Sequence, residues 1–258
     1  MKIALMDSGI GLLAAAAALR KLRPDVDLVL SSDPASMPWG PRTSEEITEL
    51  ALGCARAAAA ERPDALIVAC NTASVHALDA LRAELEPAIP VIGTVPAIKP
   101  AAARGGRVAI WATPATTGSA YQRGLIREFG GSAEVTEVAC PGLADAIEHG
   151  DEEAITAAVA DAASRTPAGT DELVLGCTHY ELVDDRVREA LASAAFRGSF
   201  HGSADAVAAQ VLRRAGAEAA ARSGSATLTV LHAGAPTTLP AAAALYPQGR
   251  ALTAALTR

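Results

Sequence analysis

Ala65-Leu66-Ile67-Val68-Ala69-Cys70-Asn71-Thr72 and Glu172-Leu173-Val174-Leu175-Gly176-Cys177-Thr178-His179 stand 107 residues apart and read alike. After Glu172 in the second, each is a short apolar run that ends in a cysteine, with threonine and other polar residues directly behind it. A run that is apolar at every position, not at alternate ones, is a strand buried on both faces, the signature of a parallel sheet covered by helices.

Further runs of the same kind occur at Ile3–Met6, Val26–Ser31, Val91–Gly93, Arg107–Trp111, Val135–Ala139, Gly198–His201 and Ala226–Leu231. Alanine-rich amphipathic stretches lie between them, among them 44–61, 73–85, 151–164 and 203–221. Strands and helices that alternate in this way give an α/β fold. Thr43 and Glu46 are three residues apart and predict a capping box at the head of the stretch that starts at Ser44. A second matched pair supports an internal duplication. Ile3–Met6 runs into Asp7-Ser8, and Val108–Trp111 runs into Ala112-Thr113 about 105 residues later. The expected architecture is therefore two similar α/β domains with mainly parallel sheets. In such domains ligands bind beyond the carboxyl ends of the strands; if the two halves face each other, with the active site in the cleft between them, Cys70 and Cys177 approach it from opposite sides. The expected division is 1–95 with 206–258, which holds Asp7 and Cys70, and 96–205, which holds Cys177.

Composition narrows the chemistry. The 258 residues are 50% apolar and 20% charged, a globular balance. Lys+Arg 22 against Asp+Glu 29 gives a net charge of −7, which offers no basic field for nucleic acid. The longest apolar run, Leu12–Leu19, is too short to span a membrane. Asp7 interrupts the N-terminal apolar stretch, so a secretory signal is not expected. Aromatics are 3% of the chain, and the core must come from Ala, Val, Leu and Ile. Four dispersed cysteines without a C-x-x-C suit a reducing cytoplasm better than a disulfide scaffold.

Cys70 and Cys177 are the candidate reactive thiols, because loops at strand ends carry chemistry and neighbouring donors raise the thiolate fraction. Cys54, among alanines in a helix, and Cys140, in Ala-Cys-Pro-Gly, read as packing residues. His179 lies two residues past Cys177 and could tune it or relay its proton. Glu148 precedes His149-Gly150 at a helix end, where an ordinary solvated acid is expected. The five histidines show no metal-ligand spacing and no metal is expected. The three lysines, Lys2, Lys21 and Lys99, offer no Schiff-base site. One competing pattern exists. Gly9-x-Gly11-x-x-Ala14 followed by Asp33 fits a dinucleotide fingerprint, which would make the chain an NAD-linked oxidoreductase. Asp7 beside that loop would repel a pyrophosphate, and the fingerprint leaves the cysteines unexplained.

Together, Asp7-Ser8-Gly9-Ile10-Gly11, Met37-Pro38-Trp39-Gly40, Ala69-Cys70-Asn71-Thr72-Ala73-Ser74, Ile92 to Pro100, Ala112-Thr113 with Thr116, and Leu175-Gly176-Cys177-Thr178-His179-Tyr180 resemble the cofactor-independent aspartate/glutamate racemase family, and within it the members that act on glutamate. The resemblance implies an amino-acid racemase with two opposed cysteines, no cofactor, an acidic amino acid as its small-molecule partner, and a role in supplying D-glutamate for peptidoglycan. It leaves room for a homodimer. It implies that Cys70 deprotonates the D-enantiomer with Asp7 assisting, and that Cys177 deprotonates the L-enantiomer with His179 and Glu148 assisting. By the same resemblance Asp7, Ser8, Trp39, Gly40, Asn71, Thr72, Thr113, Thr116, Thr178 and His179 bind substrate. Three positions depart from the family pattern. Leu12 replaces a glycine, Trp39 a tyrosine and Glu181 a proline, and none of these removes a catalytic group. Trp39 leaves aspartate or another acidic amino acid open as substrate, and an amino-acid-binding protein without catalysis would keep the pocket but need no thiols.

Overall fold

In a computed structural model of the chain, which describes residues 1–193 and 196–254, strands and helices alternate from the first residues onward. The strands are β1 (Lys2–Asp7), β2 (Asp27–Ser32), β3 (Ala65–Val68), β4 (Val91–Gly93), β5 (Arg107–Ala112), β6 (Glu134–Ala139), β7 (Glu172–Leu175), β8 (Ser199–His201), β9 (Leu228–His232) and β10 (Ala235–Thr237). They form a six-stranded sheet in the order β10-β9-β2-β1-β3-β4 and a four-stranded sheet in the order β6-β5-β7-β8. All pairings are parallel except β9 with β10. The chain divides into two compact units accordingly, Met1–Thr94 with Ala204–Arg258 and Val95–Ser203. Residues 255–258 of the expected first domain lie outside the described residues.

The duplication is legible in the topology. The four-strand order 2-1-3-4 of the first sheet recurs as 6-5-7-8 in the second. β1 and β5 are the equivalent inner strands, as are β3 and β7. β3 and β7 are buried along their whole length, which explains the apolar runs Ala65–Val68 and, after Glu172, Leu173–Leu175. The first unit's core sets Met6, Val29, Leu66 and Val68 against Ile47, Ala51 and Ala55 of the helix Ser44–Ala60. The second places Val108, Ile110 and Val174 against Ile98 and Ala101.

The predicted capping box is present: Glu46 N–H donates to Thr43 Oγ1 and Thr43 N–H to Glu46 Oε2. Asp27 fixes the returning C-terminal segment to the first sheet, accepting from Ser225 N–H, Thr227 N–H and the Thr227 hydroxyl. Arg20 binds the carbonyls of Ala226 and Thr227 from the other side. The expected stretches 73–85 and 203–221 are each broken in two, into Asn71–His76 with Leu78–Leu85 and Ala204–Arg214 with Gly216–Ala221. Gly216 has φ +84°, left-handed backbone that glycine takes without strain and that ends a helix. Among the described residues no helix is long and apolar enough to cross a membrane.

Candidate active site

Both cysteines of the repeated motif stand at equivalent places. Cys70 follows β3 with φ −138° and ψ 120°, and Cys177 follows β7 with φ −135° and ψ 136°. The residue before each thiol is tied to the inner strand beside it. Ala69 N–H donates to Met6 O at 2.8 Å, and Gly176 N–H donates to Trp111 O at 2.7 Å. Each cysteine then heads a short helical segment, Asn71–His76 or the 3-10 turn Thr178–Val183. Extended backbone that turns at once into a helix lifts the intervening residue out of the sheet at its carboxyl end, where loops are free to meet a ligand.

In the first unit Asp7 ends β1 and is fully buried. Ser8 N–H donates to Asp7 Oδ1 at 2.7 Å, and the Ser8 hydroxyl lies 3.4 Å from the same oxygen. Asn71 is buried and Thr72 half-buried behind Cys70. Trp39 sits in the same buried cluster as Cys70, and its indole N–H donates to Ser36 Oγ at 2.7 Å. Gly40 follows it half-buried. Nothing in the residue pattern singled out Ser36. It satisfies the one polar atom that a tryptophan brings into a core.

The second unit holds a three-residue relay. Cys177 Sγ is 3.9 Å from His179 Nδ1, and His179 Nε2 is 2.9 Å from Glu148 Oε2. Glu148 lies on the helix Leu143–His149 and is 8% exposed, so the solvated acid expected from its place in the sequence is corrected. A helix end gives no sign of burial by itself; the turn 178–183 covers this one with His179. A carboxylate on Nε2 selects the tautomer protonated there and leaves Nδ1 facing the thiol as an acceptor. The imidazole can then take the thiol proton, and Glu148 stabilises the imidazolium that results. Thr178 is buried in the same turn, while Thr113 and Thr116 share a 3.1 Å hydroxyl contact in the loop after β5.

The remaining cysteines behave as packing residues. Cys54 and Cys140 are buried, and desolvation pushes each thiol up to about 12. Neither would be ionised near neutral pH. Cys177 is the most accessible of the four.

With this geometry in view, residues 11–211 match the family described as Asp/Glu/Hydantoin racemase. The chain belongs to that family. This racemase is 40% identical to a glutamate racemase of Roseiflexus sp. (strain RS-1) over 191 residues, which are 72% of this chain and 70% of the relative. Its fold superposes on the Escherichia coli glutamate racemase solved with L-glutamate and the activator UDP-MurNAc-ala, with TM-score 0.76 and 25% identity over 100% of this chain and 94% of that one. It also superposes on the Thermus thermophilus glutamate racemase solved with β-chloro-D-alanine, with TM-score 0.70 and 28% identity over 100% and 93%. Membership of a racemase family removes the dinucleotide reading of Gly9 and Gly11.

Proposed function

We propose that this racemase interconverts L- and D-glutamate with two thiols as acid and base. The observation that carries the reading is the equivalence of Cys70 and Cys177 in a repeated strand frame. Inversion at an α-carbon needs one group to remove a proton from one face and another to deliver a proton to the opposite face. Cys177, activated through His179 and Glu148, takes the proton of the L-enantiomer. Cys70, with Asp7 nearby, takes that of the D-enantiomer. Each thiol acts as acid when the other acts as base. Ser8, Gly40, Asn71, Thr72, Thr113, Thr116 and Thr178 supply backbone and side-chain donors for the two carboxylates, and a donor on the α-carboxylate also stabilises the carbanion that forms beside it. The proposal takes no cofactor. It places the protein in the cytoplasm, where four cysteines outside any disulfide stay reduced, and gives its product to peptidoglycan synthesis.

The deciding experiment incubates the pure protein with L-glutamate and follows circular dichroism, with and without NAD. Decay of the signal to zero without NAD is expected. No decay with glutamate but decay with L-aspartate would move the substrate assignment to the shorter acid. A binding signal without decay would leave an amino-acid-binding protein.

A further inference from the structure

We infer that Glu181 is a positioning residue for the Cys177–His179 side of the reaction, a carboxylate clamp that holds the catalytic turn against Gly202-Ser203. The inference rests on the two-thiol reading above and adds a residue that acts on one thiol alone.

The turn Thr178–Val183 that carries Thr178 and His179 is a six-residue 3-10 segment. Segments of that kind have poor hydrogen-bond geometry and rarely exceed three or four residues, so this one depends on ties to its surroundings. Tyr180, fully buried, supplies one by donating its hydroxyl to Cys140 O at 3.3 Å. The His179–Glu148 contact is another, and Glu181 supplies a third. Its Oε1 accepts from Ser203 N–H at 2.8 Å and from the Ser203 hydroxyl at 2.7 Å. Its second oxygen lies against Gly202, where a Cβ would come within 2.4 Å of Oε2 and 2.7 Å of Cδ. A side chain at 202 would therefore push the carboxylate off. Ser203 is buried, and the strand before it is itself anchored. β8 pairs with β7 (Val174 with His201), and His201 Nε2 lies 2.7 Å from Glu172 Oε2. A solvated surface glutamate has no reason to fold onto a buried amide and hydroxyl 22 residues away.

The clamp matters because the contact it protects is marginal. At 3.9 Å the Cys177 Sγ to His179 Nδ1 contact has little tolerance, and a small rotation of the turn breaks it. Through Ser203, Glu181 acts on the turn.

Racemisation rates alone cannot localise this effect. The equilibrium constant between enantiomers is one, so kcat/KM must fall equally in both directions for any variant. A half-reaction separates the sides. With β-chloroalanine, loss of the α-proton to one thiolate and of chloride from Cβ gives 2-aminoacrylate, which hydrolyses to pyruvate and ammonium without reprotonation at the α-carbon. The single-thiol proteins Cys70→Ser and Cys177→Ser are first confirmed to eliminate only the L- and only the D-analogue. Elimination of both analogues at equal rates by each protein overturns the two-thiol reading, and the inference with it, before Glu181 is touched; reversed preferences only exchange the L- and D-analogues in the comparison that follows. Glu181→Ala is then added to each. Elimination of the L-analogue in the Cys70→Ser protein is expected to slow by about tenfold or more. Elimination of the D-analogue in the Cys177→Ser protein should change by less than about twofold. Glu181→Gln should recover most of the L-side rate, because its amide oxygen accepts from the same two donors. Should Glu181→Ala compromise folding, Ser203→Ala, which removes only the hydroxyl donor, gives the same comparison at smaller amplitude. Equal slowing on both sides, no slowing on the L-side, or a Glu181→Gln protein as slow as Glu181→Ala overturns the clamp.

Discussion

His179 Nε2 lies 2.9 Å from Glu148 Oε2, with the two side chains only 4% and 6% exposed, while the opposite ring nitrogen faces Cys177. Burial makes the pair consequential, because a carboxylate screened from water stabilises a neighbouring imidazolium far more than an exposed one does. Glu148→Gln keeps an oxygen that can accept from Nε2 but removes the charge. The expected outcome is a fall in kcat of roughly 10- to 100-fold with little change in KM, measured by circular dichroism in both directions. Unchanged kcat would detach Glu148 from the thiol's proton.

Removal of either reactive thiol should abolish turnover in both directions, since each direction uses one thiol as base and the other as acid. Cys70→Ala and Cys177→Ala are expected to lose at least about a thousandfold in kcat/KM. Cys54→Ala and Cys140→Ala should keep activity near the parent, with a loss of about 1 kcal/mol or more of stability each for the emptied core volume. Racemisation by either of the first two variants would remove that cysteine from the mechanism.

The repeated cysteine motif was legible because strands buried on both faces are apolar along most of their length, and because each stops at the same polar signal. The position of Cys70 and Cys177 in equivalent strand frames follows from that pattern alone. β10 (Ala235–Thr237) was not legible: it is three exposed residues with a proline on the sheet edge, paired through backbone and carrying no apolar alternation. The break at Ala77 was equally hidden, since alanine continues a helical pattern whether or not the backbone does, whereas the break at Ala215 carries a sign in Gly216. The burial of Glu148 and the Glu181–Ser203 clamp depend on segments 31 and 22 residues apart meeting in space. A single acid in a sequence carries no mark of which segment will cover it. The family resemblance supplied a role for Glu148 and none for Glu181.

The two packing thiols give the fold a defined alkaline limit. Burial holds Cys54 and Cys140 at about 12, against about 8.5 in an unfolded chain. A pKa raised by folding contributes stability that is complete below the unfolded value and is lost as pH rises towards the folded one. Over that window the unfolded chain ionises and the folded chain does not, so stability falls by up to about 1.4 kcal/mol per pH unit for each thiol. The urea midpoint should therefore drop between about pH 8 and 9, before the tyrosines of the unfolded chain, near 10, ionise appreciably. The Cys54→Ala, Cys140→Ala double variant should show a flatter slope there, from a lower start. An identical slope would mean that neither thiol is as desolvated as its burial implies.

Gly176 is needed for the approach of Cys177 to its strand. A Cβ there would lie 2.7 Å from Trp111 O and 3.3 Å from Ala112 Cβ, both on β5, which cannot yield without shifting the sheet. Gly176→Ala is expected to cost about 1–3 kcal/mol in urea unfolding and to lower kcat as Cys177 moves away from His179. Unaltered stability would show that the β5–β7 spacing has slack at this point.

The assignment of each thiol to one enantiomer makes the last prediction. Serine in place of cysteine keeps the shape of the side chain, but a hydroxyl ionises far less readily than a thiol, so one base is lost while the pocket is retained. The surviving thiolate still reaches the α-proton that faces it. Racemisation then stalls, but elimination from a substrate with a good β-leaving group does not, because that reaction ends with the departure of chloride. Cys70→Ser keeps Cys177 with its His179–Glu148 relay, and should release pyruvate from β-chloro-L-alanine only. Cys177→Ser keeps Cys70, and should release it from β-chloro-D-alanine only. Elimination of both enantiomers at equal rates by each variant would mean that the thiols do not serve opposite faces, and the two-base mechanism would fall. Reversed preferences would keep the mechanism and exchange the faces, placing the relay of His179 and Glu148 on the D-side.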